Sequence, residues 1–350
     1  MDTAESTRLQ NELESMKIIV PMAGMGKRMR PHTLTTPKPL LPIAGKPIVQ
    51  LLCEELAKVC TEKIEEIAFI IGDFGKEAED NLVKVAESLG AKGSIYHQNE
   101  ALGTAHAVLC AKESLSGKVI VAFADTLFKA DFEMDEAKDA VIWVQKIDDP
   151  SAFGVVKIAE DGTISDFIEK PKEFVSDLAI IGIYYFKDGE NLKNELQYLI
   201  DNEIKDKGEY QITNGLENMK NKGLKIYPGE VIEWLDCGNK DATVHTNKRW
   251  LELHKDNFSK PNSLKVVNSE IIQPCFIGEN VEINNSKVGP YVSIGNNTII
   301  SNSEISNSII QTNATLQNTK LTNSMLGNHV QVTGGDYELS LGDYSVISHK

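Results

Sequence analysis

The amino-acid sequence predicts an α/β fold with a mixed, mainly parallel sheet flanked by helices, followed by a C-terminal left-handed parallel β-helix. Three observations carry this expectation. From Met16 to about residue 257, apolar runs of strand length alternate with segments of helical period. After a short break, aliphatic residues recur every five or six positions. That second stretch also holds twelve asparagines between Asn268 and Asn328, more than a linker requires and well suited to tight corners.

Residues 1–15 are polar and acidic and read as a short helix or tail, an N-terminal extension with Met16 as an alternative start. They have neither the basic start nor the apolar centre of a signal peptide. Strands are expected at Lys17–Met22, Ile67–Ile71, Val119–Phe123 and Ala140–Val144. Between them, Pro47–Cys60 aligns Ile48, Leu51, Leu52, Leu56 and Val59 on one helical face, and Lys76–Leu89 repeats the device. Strand, helix and strand at this spacing give a Rossmann-like parallel sheet covered on both faces. The shorter alternating runs Gly154–Ile158, Ile164–Glu169 and Ala179–Phe186 read as inserted antiparallel strands. Helices are expected around Asn191–Ile204 and Lys240–Lys255.

The helical period stops in the linker at 258–265, and from 266 to 350 another rule holds. Ile271, Ile277, Ile283, Val288, Ile294, Ile300, Ile305, Ile310, Leu316, Leu321, Leu326 and Val332 follow one another at intervals of five or six. Three short strands make one triangular coil, each sending its aliphatic residue inward. At ~18 residues per coil the series makes about three and a half coils. Helices of this kind are usually left-handed, and that hand is expected here.

A balance of 36 basic against 51 acidic residues leaves a net charge of −15, which disfavours general nucleic-acid binding. No apolar run reaches the ~18 residues of a membrane span, so a cytoplasmic protein without membrane partner is expected. Five cysteines without a CxxC pair indicate neither a disulfide framework nor structural zinc. The flat faces of a β-helix suit self-association, so a homo-oligomer is expected.

The chemistry concentrates after the first strand. The run GMGKRMRPHTLTTPKPLLPIAGKP lacks the third glycine of a dinucleotide fingerprint, and its glycines are too close for a Walker loop. Met16 to Cys53 nevertheless carries Lys17, Lys27, Arg28, Arg30, Lys38 and Lys46 with no acidic residue. Such a charge inversion beside a Gly-x-Gly at a strand's carboxyl end points to phosphate binding.

Gly24-x-Gly26-x-Arg28, Pro31, Thr33 and Pro37-Lys38-Pro39-Leu40-Leu41-Pro42 resemble the signature of the sugar-1-phosphate nucleotidylyltransferases. The pattern is most similar to long-form glucose-1-phosphate thymidylyltransferases with a C-terminal hexapeptide β-helix, and to uridylyltransferases. Further stations follow in order. They are Gln98-x-x-x-Leu102-Gly103-Thr104-Ala105, Ala124-Asp125, Phe153-Gly154-Val155-Val156, Glu169-Lys170-Pro171, Gly182-x-Tyr184, Gly208–Thr213 and Trp234–Gly238.

The resemblance implies a nucleotidyltransferase catalytic domain at 16–257. It would join a nucleoside triphosphate, dTTP or UTP, to a hexose-1-phosphate, glucose-1-phosphate foremost, and release pyrophosphate. Arg28, Lys38 and Lys170 would be catalytic. Ala23, Gly24, Gly26, Gln98, Gly103 and Thr104 would bind the nucleotide. Gly154, Glu169, Tyr184 and Trp234 would bind the sugar, and Asp125 with Asp236 would hold Mg²⁺. A glutamine amide offers both a donor and an acceptor to the edge of uracil or thymine, which fits Gln98. Two alternatives differ in class: acetyl transfer at the β-helix with His329 as base, or a nucleotide-sugar sensor or scaffold without catalysis.

Overall fold

The computed structural model describes residues 15–131 and 134–349. The expected N-terminal extension lies outside the described residues except for Ser15, which already belongs to the first strand. Packing groups the chain into two units. The first runs to Gly24 and resumes at Leu52–Trp234; the second joins Met25–Leu51 to Leu235–Lys350.

The strands of the α/β part are β1 (Ser15–Pro21), β2 (Pro42–Ile43), β3 (Lys46–Pro47), β4 (Lys63–Ile71), β5 (Lys92–His97), β6 (Lys118–Ala122) and β7 (Thr126–Lys129). They continue with β8 (Ala140–Lys146), β9 (Gly154–Ile158), β10 (Ile164–Glu169), β11 (Leu178–Phe186), β12 (Ile226–Glu230) and β13 (Glu233–Asp236). The helices are α1 (Ile48–Val59), α2 (Lys76–Ser88), α3 (Thr104–Leu109), α4 (Gly189–Asp201), α5 (Ile212–Asn221) and α6 (Lys240–Leu253).

In the first unit, β10, β9, β11, β6, β1, β4 and β5 lie side by side, with β8 and β12 joined through β11. β1, β4, β5 and β6 run parallel, while β11 is antiparallel to β6, β8 and β9. Ile18, Ile19 and Val20 are wholly buried, as the apolar run of a doubly covered strand requires. β4 begins four residues before the expected Ile67. Its first half alternates exposed and buried residues, and only the second half is continuously buried.

Helix α4 ends before the expected Ile204. Asp188 caps its start by accepting from the Asn191 N–H at 3.0 Å. Its end is closed by Glu203 at φ +55 and by the Ile204 N–H donating to the Leu199 carbonyl at 2.9 Å. The short strands β2, β3, β7 and β12 escaped the sequence reading, and so did three longer or buried elements. β5 is mostly half-buried and shows no alternation, α3 has only six residues, and α5 carries a glycine in its first turn.

The second unit contains the parallel β-helix. One face stacks Val266, Ile283, Ile300, Leu316, Val332 and Ile347 in register. Successive members are 17, 17, 16, 16 and 15 residues apart, so a coil is shorter than the 18 assumed. The faces hold six, five and five strands, which makes five coils and one further strand rather than three and a half. Eleven of the twelve predicted aliphatic residues are buried; Ile271 is half-buried in the first coil. Nine of the twelve asparagines have left-handed backbones at the corners, as expected. They stack in ladders, with Asn280 donating to Asn297 at 3.1 Å and Asn297 to Asn313 at 3.2 Å.

Candidate active site

In the second unit the glycine-rich turn is set by Gly26, whose φ of +56 opens a short 3-10 turn at Lys27–Met29. A Cβ on Gly26 would stand 2.9 Å from the Lys38 Cβ and 3.0 Å from Thr33 Cγ2. Any side chain there would therefore push away the segment that carries Lys38. Thr33 Oγ1 donates to the Gly26 carbonyl at 2.9 Å and closes the loop. Lys38 is buried at the start of its own 3-10 turn, between Pro37 and Pro39, whereas Arg28 is exposed.

Asp236 ends β13 in the same unit. Its Oδ1 accepts the Gly238 N–H at 3.0 Å. A Cβ on Gly238 would come within 3.0 Å of both Asp236 carboxylate oxygens and 3.3 Å of Arg28 Nη2. The absence of that one carbon lets guanidinium and carboxylate face the same small space. Asn239 then caps α6 by accepting from the Ala242 N–H.

In the first unit, the carboxyl ends of parallel strands lie along one edge of the sheet. Ala23 and Gly24 follow β1, Gln98 follows β5, and Asp125 follows β6. A Cβ on Gly24 would meet no atom within 4 Å, so the backbone lies open at this point of the edge. Gln98 Nε2 lies 3.1 Å from His106 Nδ1 and donates to the Gly103 carbonyl at 3.4 Å. Gly103, at φ +116, approaches so closely that a Cβ would sit 2.4 Å from the Tyr210 carbonyl oxygen. The Thr104 hydroxyl is engaged structurally, accepting from the Ile212 N–H at 2.9 Å and donating to Gln211 at 3.1 Å.

Gly154 and Glu169 are register partners on β9 and β10. A Cβ on Gly154 would stand 3.1 Å from Glu169 Oε2, which also receives a 3.4 Å bond from Thr213. Lys170, at φ +44, directs Nζ to 3.4 Å from Glu169 Oε1. Lys207 steadies this turn by donating to the carbonyls of Glu169 and Lys170 at 3.0 Å each.

Tyr184 is buried edge-on to Phe123. Burial, then the carboxylates of Glu169 and Asp125, push its phenol well above the usual range. Trp234 meets Phe153 edge-on at 4.9 Å, and its indole N–H is buried with no acceptor in reach among the described residues. His106, Lys207, Thr213 and Gly238 gain their places by tertiary contact. A histidine one helical turn after a glycine cap was the single local hint of the first.

Among the described residues no three His, Cys, Asp or Glu side chains form a metal-holding group. Asp125, after β6 in the first unit, and Asp236, at the end of β13 in the second, each carry hard oxygen donors of the kind a divalent cation takes. His329 stands at a β-helix corner at φ +58, continuing the ladder from Asn313 and stacked on Tyr344 at 4.7 Å. No described helix is long and apolar enough to cross a membrane.

The chain is 29% identical to the glucose-1-phosphate thymidylyltransferase of Streptomyces antibioticus, over 95% of this chain and 99% of that one. It is 29% identical to the bifunctional protein GlmU of Methanococcus maripaludis, over 74% of this chain and 60% of that protein. Its fold matches the solved structure of a UDP-glucose pyrophosphorylase complexed with UDP-glucose. The TM-score is 0.57 at 22% identity, covering 68% of this chain and 99% of that one. The family model for nucleotidyl transferases matches residues 17–252. That span takes in the glycine turn, the sheet edge and the Asp236 cradle alike, and the chain belongs to the nucleotidyl transferase family.

Proposed function

We propose that the protein is a sugar-1-phosphate nucleotidylyltransferase that joins dTTP or UTP to a hexose-1-phosphate, glucose-1-phosphate foremost. The observation that carries this is the Gly26 turn. It seats a buried lysine between two prolines and sets Arg28 beside the Asp236 carboxylate, in a protein of net charge −15. A phosphate oxygen of the sugar attacks the α-phosphorus, the bond from that phosphorus to the bridging oxygen breaks, and pyrophosphate leaves with the bonding pair. No covalent intermediate on the protein is needed, so its work is positioning and charge neutralisation.

Arg28 receives the β- and γ-phosphates, and Lys38 meets the charge that grows around the α-phosphorus. Gln98 and the Gly103 backbone read the pyrimidine, beside the strand end at Ala23–Gly24. Lys170 holds the sugar phosphate. Glu169 accepts from sugar hydroxyls, Gly154 leaves space for the ring, and the Trp234 indole N–H gains a hydroxyl acceptor. Mg²⁺ is the ion of choice, because two carboxylates plus substrate phosphates and water suit its coordination. When bound, it neutralises charge on the phosphates.

Pyrophosphate release, measured over a matrix of triphosphates and sugar-1-phosphates, tests the reading. Turnover is expected with dTTP or UTP and glucose-1-phosphate. Lys38→Ala is expected to lower kcat by about 10²–10³-fold while keeping the native circular-dichroism spectrum. Release with no pair, or full turnover by Lys38→Ala, would overturn it.

A further inference from the structure

The segment between Arg28 and Lys38 rests on the last coil of the β-helix, inside the second unit. Pro31 packs on Gly342, where a Cβ would come within 3.1 Å of the proline ring. His32 is 1% exposed, with Nε2 at 3.1 Å from Ser340 Oγ, a partner 308 positions away. Thr35 Oγ1 donates to Asp343 Oδ2 at 2.9 Å. A second anchor lies just beyond Asp236. Lys240 Nζ donates to the Asn323 carbonyl at 3.1 Å and to Glu338 Oε1 at 3.0 Å. Its side chain is only 18% exposed.

The two anchors therefore fix both walls of the Gly238 cradle, the arginine segment from one side and the carboxylate turn from the other. Apolar packing would suffice if these contacts served adhesion alone. His32 instead keeps Nδ1 buried without a partner among the described residues, a desolvation cost that simple adhesion would not incur. A directional bond to Ser340 fixes where the segment sits, whereas a greasy contact would let it slide. A displacement of about 1 Å can cost on the order of 10²-fold in rate when reacting groups must align.

We infer that the terminal coils of the β-helix act as a template for the catalytic loop, with His32 and Lys240 as positioning residues for the reaction. The inference rests on the assignment of Arg28 and Lys38 to the phosphates. Neither Lys240 nor Ser340 touches substrate in that assignment.

The test compares Lys240→Met, Lys240→Arg and Ser340→Ala with the parent chain, using steady-state pyrophosphate release at 25 °C and thermal melts. Lys240→Met is expected to lower kcat about 10-fold or more, with the KM for glucose-1-phosphate changed less than about threefold. Lys240→Arg, which can reach the same two acceptors, should return kcat to within about threefold. Ser340→Ala should lower kcat about three- to tenfold. If these variants lose only thermal stability and turn over at the parent rate well below their melting points, the contacts are structural and the inference is wrong. Should Lys240→Met fail to fold, Ser340→Ala, which removes a single hydroxyl, decides alone. Lys38→Ala separates the two claims. Its inactivity beside normal Ser340→Ala and Lys240→Met overturns only the template, and its full activity overturns the phosphate assignment and the template with it.

Discussion

At the scale of single residues, two histidines do opposite things with the same chemistry. His106 Nδ1 faces the Gln98 amide nitrogen, so it must accept, and burial holds its pKa below the ordinary value against the pull of Glu100. With Nε2 turned toward His106 and Gly103, Gln98 leaves Oε1 as an acceptor, the group that the proposed reading of a pyrimidine N3–H calls for. His106→Leu is expected to raise the KM for the pyrimidine triphosphate about fivefold and to narrow its preference over purines. An unchanged kcat/KM ratio between dTTP and ATP would sink that assignment. His32 carries its burial into stability. Desolvation lowers its pKa to about 4, opposed by Asp343 and assisted by Lys240. The unfolded chain takes up the proton near pH 6.5 and the native one only near 4. Between those values the unfolded state holds more protons, and stability falls as pH falls. His32→Leu should flatten the fall in unfolding free energy between pH 7 and 4.5, by no more than about 3 kcal/mol in all. Parallel curves would contradict it.

At the scale of elements, the β-helix was the most legible part of the chain, because one coil writes the same inward aliphatic residue at each side. Its length was less legible. The last coil uses Tyr337, Leu341 and Ile347, with a Gly334–Gly335 pair before them, and these break the aliphatic rhythm that the repeat search follows. The corners make a separable prediction. Asn297 has φ +58 and bonds above and below in its ladder, whereas Asn284 sits in a strand. Asn297→Ala should cost about 1–2 kcal/mol, Asn297→Gly clearly less, and Asn284→Ala under about 0.5 kcal/mol. Chemical denaturation ranks the three, and equal costs would show that backbone hand is not what asparagine contributes there. The α/β elements were readable where they are buried on both faces, as in β1, β6 and α1. Half-buried β5 and the short α3 left no periodicity to read.

At the scale of the whole molecule, local motifs revealed the candidate site, but the contacts that support it were hidden. Gly26, Arg28 and Lys38 lie within one loop and announce phosphate chemistry by composition. No spacing rule in a single sequence joins His32 to Ser340 or Lys240 to Glu338, since each pairing exists only after the chain has turned through five coils. The charge distribution has its own consequence. The segment from Met16 to Cys53 holds six basic residues and no acidic one within a chain of net −15, so it concentrates positive potential where the protein is otherwise negative. Raising salt from about 0.05 M to 0.3 M should raise the KM for the triphosphate several-fold with kcat nearly constant. A flat KM would mean that the cations act only after contact.

The pairing of Pro31–Thr35 with Ser340–Asp343 also bears on the order of folding. Its hydrogen bonds join residues 308 positions apart, so no local contact can form them. The coil has to be wound before Ser340 and Asp343 stand where the turn can reach them, and the turn is expected to settle among the last parts of this unit.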